Sequence, residues 1–104
     1  MTEGRKIADD DIYGLASGII CKPVAGETVL LDTRDESFKV LNETATAIVE
    51  LCDRNHTVSS IIVELRKRYG DAPGIAESTR RCIRQFFDLG VLDLVGKVSG
   101  EVPG

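Results

Sequence analysis

Alternating hydrophobic and polar positions predict three short strands in the first half of the chain. GIICKP at 18–23 and ETVLLD at 27–32 are separated by a turn at Gly26, and SFKVL at 37–41 follows the polar turn DTRDE. Short strands joined in this way favour an antiparallel β-meander. So small a sheet is not stable alone, and one of its faces must pack on apolar side chains from elsewhere in the chain.

Helical spacing replaces this alternation beyond the third strand. Asn42 predicts the N-cap of a helix over residues 43–52, and Thr57 predicts the N-cap of a second helix that ends at Gly70. Each of the two helices has an apolar stripe on one side, and the second helix carries charged residues on its other face. Together they provide the surface that the meander needs.

A third helix is predicted over residues 75–89, before Gly90. Its core face, taken at 100° per residue, carries Ile75, Thr79, Cys82, Ile83, Phe86 and Leu89. Phe87 lies about 100° from the centre of that face, beside Arg80 and Arg84. We therefore expect Phe87 at the flank of this helix and outside the centre of the core.

Three strands followed by three helices predict an α+β fold in which the strands are segregated from the helices. We expect a winged-helix-like domain over residues 17–96, with the three-stranded antiparallel β-meander preceding a three-helix cluster. VLDLV at 91–95 is predicted to be a short extended segment. The segments 1–16 and 97–104 show no periodicity, so we expect a flexible N-terminal arm and a flexible tail.

Composition narrows the class of protein. The 104 residues, 42% of them hydrophobic, suit one globular domain. The chain has no run of about 18 apolar residues and no signal-peptide pattern, so we expect a cytoplasmic protein with no membrane partner. Cys21, Cys52 and Cys82 lack paired spacing, and His56 is expected in a solvated turn. We therefore expect buried thiols, no metal site and no cofactor.

Catalysis and DNA binding are both disfavoured. No short catalytic or nucleotide-binding motif is present, so we expect no enzymatic activity. A winged-helix transcriptional regulator that binds DNA is the alternative function, since six of the thirteen Lys and Arg residues form two groups, Arg66, Lys67, Arg68, Arg80, Arg81 and Arg84. The net charge of −4 opposes that alternative, and we expect no nucleic-acid partner.

The third strand favours peptide binding instead. It is predicted at the edge of the meander and leads directly into the first helix, so its outer backbone groups could pair with an extended peptide. Hydrogen bonds to the backbone would supply affinity, and side-chain pockets would supply selectivity. If the amide of Lys39 faces the ligand, proline at this position would block the pairing.

The same region resembles a known family. LNETA at 41–45, I-x-x-L-C-D at 48–53, T-V-x-x-I at 57–61 and F-x-x-x-G-V-L at 86–92 follow one another in the order of the PqqD family. Over about 18–95 the chain is similar to this family and, more broadly, to the RiPP precursor peptide recognition elements.

The resemblance implies a non-catalytic domain that captures the leader segment of a ribosomal precursor peptide. It implies delivery of that leader to a modifying enzyme, such as a radical SAM protein in PQQ biosynthesis. In the family the leader joins the sheet at its third strand and rests against the third helix. The implied peptide-binding residues are Glu36, Ser37, Phe38, Lys39, Val40, Leu41, Arg80, Ile83, Arg84 and Phe87.

Overall fold

The structure is a computed structural model that describes residues 6–70 and 73–97. Its elements, in chain order, are β1 (Asp11–Leu15), β2 (Ile19–Val24), β3 (Glu27–Asp32), β4 (Ser37–Leu41), α1 (Glu43–Leu51), β5 (Asp53–Thr57), α2 (Val58–Tyr69), α3 (Ile75–Asp88) and β6 (Leu92–Lys97). The predicted α+β class, with a meander preceding three helices, is confirmed. Parts of the expected arm and tail, at 1–5 and 98–104, lie outside the described residues.

Strands β2, β3 and β4 form the predicted antiparallel meander, in that order. Ala25 and Gly26 make the two-residue turn between β2 and β3, with φ of 53° and 84°. Positive φ at both central positions is the geometry of a type I′ hairpin, whose twist matches that of the flanking strands. The turn sets Val24 opposite Glu27 and so fixes the register of the sheet.

A second sheet has the order β5-β1-β6, so the N-terminal strand is its central strand. The expected flexible arm is therefore wrong for residues 11–15, which pair on both sides. Asp11 is fully buried, and its carboxylate accepts hydrogen bonds from the Tyr13 hydroxyl and the Ala8 N–H, both at 3.0 Å. It also lies 3.2 Å from Nζ of Lys97. A sequence does not distinguish a buried Asp from an exposed one, so the DDD run indicated a solvent-exposed segment and this strand was not predicted.

Both predicted N-caps are confirmed. Asn42 Oδ1 accepts a hydrogen bond from the N–H of Ala45 at 2.7 Å, and Thr57 Oγ1 accepts one from the N–H of Ser60 at 3.1 Å. These side chains satisfy amides that the first turn of a helix leaves unpaired. The cap at Asn42 also fixes the point at which β4 becomes α1.

The strand between α1 and α2, β5, was not predicted. His56 lies in it, half-buried, with Nδ1 3.0 Å from both carboxylate oxygens of Asp53, so its expected place in a solvated turn is wrong. Burial acts to raise the pKa of Asp53, but hydrogen bonds from the His56 ring and from two backbone N–H groups outweigh it. The pKa of Asp53 is therefore lowered.

The three cysteines are free thiols, but only Cys52 is buried as expected. Cys52 is buried and Cys82 is half-buried, and burial raises their pKa values to about 12 and about 11. Burial also raises the pKa of Cys21, which is half-buried. Neutral thiols of this sort pack as small apolar side chains. In the described ranges no three metal-ligating side chains come together.

The core is mainly aliphatic and draws on both sheets and all three helices. On α3, Thr79, Ile83 and Phe86 are buried, as the helical spacing predicted. Leu89, predicted on the same face, is 53% exposed, because α3 ends one residue earlier and the chain turns at Gly90. No helix among residues 6–70 and 73–97 is long and apolar enough to span a membrane.

Candidate functional site

Strand β4 ends the meander, and its outer edge pairs with no strand in the part of the chain that the structure describes. The N-terminal segment and the closing strand could each have covered this edge. They pair with each other instead, as β1 and β6 of the second sheet. A further strand could therefore be added beside β4 without displacing any described strand.

The direction of the backbone groups in β3 follows from its turn. Val24 and Glu27 close a two-residue hairpin, and such a closing pair is hydrogen-bonded, so the backbone N–H and C=O of Glu27 point toward β2. Thr33 lies an even number of residues farther on, and its N–H donates to the carbonyl oxygen of Gly18 at 2.9 Å, again toward β2. Odd-numbered residues of β3 thus face β2, and even-numbered residues face β4.

Two residues of β4 present their backbone groups to the open edge. Leu30, an even-numbered residue of β3, pairs with Lys39, so the N–H and C=O of Lys39 point toward β3. The backbone groups of Phe38 and Val40, on either side, point outward. The amide of Lys39 therefore does not face a ligand at the open edge. A proline at Lys39 would remove a hydrogen bond inside the meander. Val40 is the position at which a proline tests the open edge.

The side chains of the meander form a core face and an outer face. Leu30 and Leu41, which are 2% and 7% exposed, mark the core face. Lys39 lies opposite Leu30, so its side chain leaves the sheet on this same face, at the rim, and it is exposed. The outer face carries four exposed apolar residues, Ile20, Val24, Phe38 and Val40. Since antiparallel sheets usually turn polar residues to water, this apolar face indicates an interaction surface.

Arg34 connects the turn before β4 to the end of α3. Its guanidinium donates to the carbonyl oxygen of Gly90 at 2.9 Å and forms a bidentate pair with Asp32, at 2.8 and 2.9 Å. Hydrogen bonds from the Arg34 side chain lower the pKa of Asp32 to about 2. The β3–β4 turn is thereby fixed against α3, which positions the open edge relative to this helix.

The predicted α3 residues border the N-terminal segment. Arg80 pairs with Asp9, with Nη2 2.9 Å and Nε 3.0 Å from Oδ1. The ring of Phe87 packs edge-on against the buried ring of Tyr13, with centroids 5.8 Å apart. Phe87 is half-buried at the flank of α3, in keeping with the sequence, but one side of its ring is already occupied within the domain.

The other two predicted residues of α3 are Ile83 and Arg84. Ile83 has no exposed surface, so it belongs to the core and offers no contact to a ligand, contrary to the implied site. Arg84 is exposed, lies 3.8 Å from Asp88, and lines a shallow cavity with Lys6 and Ile7. The flank formed by Arg80, Arg84 and Phe87 therefore faces the N-terminal segment.

The opposite flank of α3 ends beside the β3–β4 turn. At 100° per residue, Gln85 and Leu89 lie on the far side of the core face from Phe87. Leu89 precedes Gly90, which Arg34 holds at the β3–β4 turn. Gln85 and Leu89 are both exposed. Neither residue was assigned to the site from the sequence. The available signal was Leu89, an apolar residue directly before Gly90, where the helix was predicted to end.

Positive charge on α3 is compensated. Its three basic residues have acidic neighbours, in the pairs Arg80–Asp9, Arg81–Glu77 and Arg84–Asp88, at 2.9, 3.5 and 3.8 Å. A surface that binds phosphates needs cations that are free to replace counterions. The pairing therefore weighs against the DNA-binding alternative.

Comparison with known proteins identifies the family. The family described as coenzyme PQQ synthesis protein D (PqqD) matches residues 27–92, from the start of β3 to the start of β6. The chain belongs to the PqqD family. The open edge of β4 and the whole of α3 lie inside the matched region, whereas β1 and β2 precede it. The family resemblance drawn from the sequence is confirmed.

Two curated relatives align with about half of the chain. A PqqA binding protein of Methylococcus capsulatus (strain Bath) is 44% identical over 55 residues, which are 53% of this chain and 58% of the relative. A PqqA binding protein of Kluyvera intermedia is 34% identical over 53 residues, 51% of this chain and 58% of the relative. This PqqD-family chain thus spans just over half the length of the relatives it matches.

Two solved structures share the fold. TbiB1 in complex with the TbiA(beta) leader peptide gives a TM-score of 0.69 at 16% identity, covering 77% of this chain and 94% of that chain. Lasso peptide synthetase B1 complexed with the leader peptide gives 0.68 at 18% identity, covering 78% and 96%. At such identities the likeness establishes the architecture, and it agrees with the predicted winged-helix-like arrangement.

Proposed function

We propose that this PqqD-family chain is a non-catalytic domain that binds the leader segment of a ribosomally made precursor peptide. The leader, from PqqA or a similar peptide, adds as a fourth strand beside β4. The observation that carries the proposal is the outward direction of the backbone groups of Phe38 and Val40 at an edge with no described partner.

Strand addition suits this edge energetically. Each backbone hydrogen bond formed contributes about 0.5–1.5 kcal/mol net, and Phe38 and Val40 offer two donors and two acceptors. Backbone pairing does not depend on the guest's side chains. Selectivity therefore falls to the two faces of the sheet on either side of the guest.

The relatives support the nature of the guest. Two of them are PqqA binding proteins, and both structures that share the fold were solved with leader peptides. An extended, ribosomally made segment is the ligand common to these descriptions. It is also the kind of ligand that an unpaired strand edge accepts.

Within the proposed site, β4 and the preceding turn from Glu36 supply the backbone edge. Gln85 and Leu89 supply the α3 wall on the β4 side. Arg80, Arg84 and Phe87 stay candidate contacts, reached where the N-terminal segment leaves them exposed. The whole binding surface thus joins one strand to one helix across the turn that Arg34 holds.

A second partner completes the proposed role. A leader held along β4 leaves the rest of its precursor free to extend beyond the domain. This arrangement suits presentation to a separate modifying enzyme, such as a radical SAM protein. The domain then contributes affinity and position, and the enzyme contributes the chemistry.

The experiment is an NMR titration of the full ¹⁵N-labelled chain with a synthetic PqqA peptide of Methylococcus capsulatus. We expect the amide signals of Phe38 and Val40 to shift and to become protected from hydrogen exchange, while the amides of β1 change little. A random DNA duplex at low salt serves as the comparison. Shifts caused by the duplex alone, or peptide shifts confined to β1, would contradict the proposal.

A further inference from the structure

We infer that the guest strand carries a triplet with an acidic residue between two apolar residues, and that this triplet lies opposite Phe38, Lys39 and Val40. The inference rests on the proposed strand addition and adds a recognition rule to it. The rule follows from the alternation of side chains along β4, which places Phe38 and Val40 on the outer face and Lys39 on the core face.

The outer face calls for apolar guest residues. Ile20, Leu31 and Phe38 form one row across the meander, and Val29 and Val40 lie side by side in the next row. Both rows end at the open edge, where Phe38 is 66% exposed and Val40 is 54% exposed. A guest residue opposite each of them would extend its row and cover apolar surface that is now in water.

The core face calls for an acidic residue between them. Lys39 follows Cys21 and Leu30 in a row on this face, and it is the last residue of the row at the open edge. It is exposed and makes no ion pair in the ranges 6–70 and 73–97. A carboxylate directly opposite would gain a cross-strand partner of opposite charge.

The rule holds for either direction of the guest. A triplet with apolar ends and an acidic centre has the same pattern when the strand is reversed. In the antiparallel case the guest residue opposite Lys39 occupies a non-hydrogen-bonded pair, because the backbone groups of Lys39 point to β3. Side chains are closest in such pairs, which strengthens the contact between carboxylate and ammonium.

One guest strand thus contacts both the apolar outer face of the sheet and Lys39 at its rim. A guest with the opposite pattern would set acidic residues beside Phe38 and Val40 and an apolar residue beside Lys39. It would cover none of the apolar surface and leave the ammonium unpaired. The site therefore selects among extended peptides by register as well as by composition.

The test uses phage displaying random 12-residue peptides, selected on the full chain and on two variants, Lys39→Glu and the double variant Phe38→Thr with Val40→Thr. We expect the wild-type chain to enrich triplets with Asp or Glu between apolar residues. We expect Lys39→Glu to enrich Lys or Arg at the central position and to keep the apolar ends. The double variant should lose the preference for apolar ends and keep the acidic centre.

The affinity of one enriched peptide then measures how much the central acidic residue contributes to binding. Changing its central acid to Lys should weaken binding to the wild-type chain about fivefold or more, since cross-strand charge pairs are worth up to about 1 kcal/mol and a repulsion replaces an attraction. The same change should strengthen binding to Lys39→Glu. Opposite changes in affinity for the wild-type chain and for Lys39→Glu would indicate that the central peptide residue and residue 39 form a direct pair.

A selection on Val40→Pro separates the two levels of the proposal. If Val40→Pro enriches the same peptides as the wild-type chain, strand addition itself is overturned. If enrichment depends on the edge but the triplet is absent, or if Lys39→Glu leaves the central preference unchanged, only the recognition rule is overturned. If the triplet appears and the central preference reverses, both stand.

Discussion

The guanidinium of Arg34 donates a hydrogen bond to the carbonyl oxygen of Gly90 at 2.9 Å, although the two residues are 56 positions apart. Arg34 lies in the turn before β4, and Gly90 lies two residues after the end of α3. One side chain thereby joins the open strand edge to the helix that forms the other wall of the proposed site. The same guanidinium holds Asp32, at the end of β3.

Replacing Arg34 by Ala should raise the pKa of Asp32 from about 2 toward its ordinary value of 3.8, because hydrogen bonds from Arg34 are the main cause of the depression. A lowered pKa stabilises the fold above pH 4, and this contribution is lost as the pH falls toward 2. The variant should lose less stability in that window. Carboxyl NMR titration measures the pKa, and Arg84→Ala is the control; an Asp32 pKa unchanged in Arg34→Ala would refute the assignment.

Tyr13→Phe should destabilise the domain by about 1–3 kcal/mol, since it removes a hydroxyl that donates to the fully buried carboxylate of Asp11. Tyr69→Phe is the matched control, because Tyr69 is 40% exposed. Its effect should stay within about 0.5 kcal/mol. Urea unfolding gives both values. Equal losses in the two variants would show that the Asp11–Tyr13 pair does not stabilise β1.

Ala25→Asn should stabilise the domain by about 1 kcal/mol, because Ala25 adopts a φ of 53° that asparagine enters more readily. A gain of that size raises Tm by about 4–8 °C in a domain of this length. Gly26→Ala, at a φ of 84°, should lower Tm. Thermal unfolding measures both changes, and a lower Tm for Ala25→Asn would exclude the type I′ turn.

Leu89→Ser should weaken peptide binding about tenfold without a matching loss of stability. Leu89 is 53% exposed on the α3 flank next to Gly90, and burial of such a side chain by a ligand is worth about 1.5–3 kcal/mol when complete. Val63→Ser, on the exposed side of α2, is the control. Calorimetry with the synthetic PqqA peptide measures both, and equal affinities of Leu89→Ser and Val63→Ser would remove Leu89 from the site.

Phe87→Ala should act mainly on stability. The ring packs edge-on against Tyr13 in the folded domain, so its removal leaves a gap beside the buried tyrosine. We expect a clear fall in the midpoint of urea unfolding and a smaller effect on peptide affinity than Leu89→Ser produces. The reverse order of the two effects would return Phe87 to the centre of the peptide site.

The elements that local signals define were predictable. Asn42 and Thr57 are N-caps whose side chains bond within one helical turn, and the type of residue alone favours this. The meander follows from alternation and turn residues in the same way. Strand β1 was missed because the two strands that pair with it, β5 and β6, lie far along the chain, and because a buried Asp11 looks like an exposed acid in the sequence. No local pattern contains that information.

The candidate site was predicted in part for the same reason. The edge strand from Glu36 to Leu41 was found because an edge is a property of strand order. The helix wall on the side of Phe87 was implied by the family resemblance, and the helical wheel added only that Phe87 lies at a flank of α3. Tyr13 contacts Phe87 and Asp9 pairs with Arg80 on that flank, whereas the bond from Arg34 to Gly90 lies near the other flank. The flank that contacts the peptide therefore stays a prediction.

The most direct test compares Val40→Pro with Val40→Ala in calorimetric titrations with the synthetic PqqA peptide. Proline removes the N–H that points to the open edge, whereas alanine keeps it and shortens the side chain in the same place. With both variants folded by circular dichroism, we expect Val40→Pro to lose at least about tenfold in affinity relative to Val40→Ala, consistent with the loss of a strand-pairing hydrogen bond and its neighbours. Equal affinities of the two variants would contradict strand addition at β4.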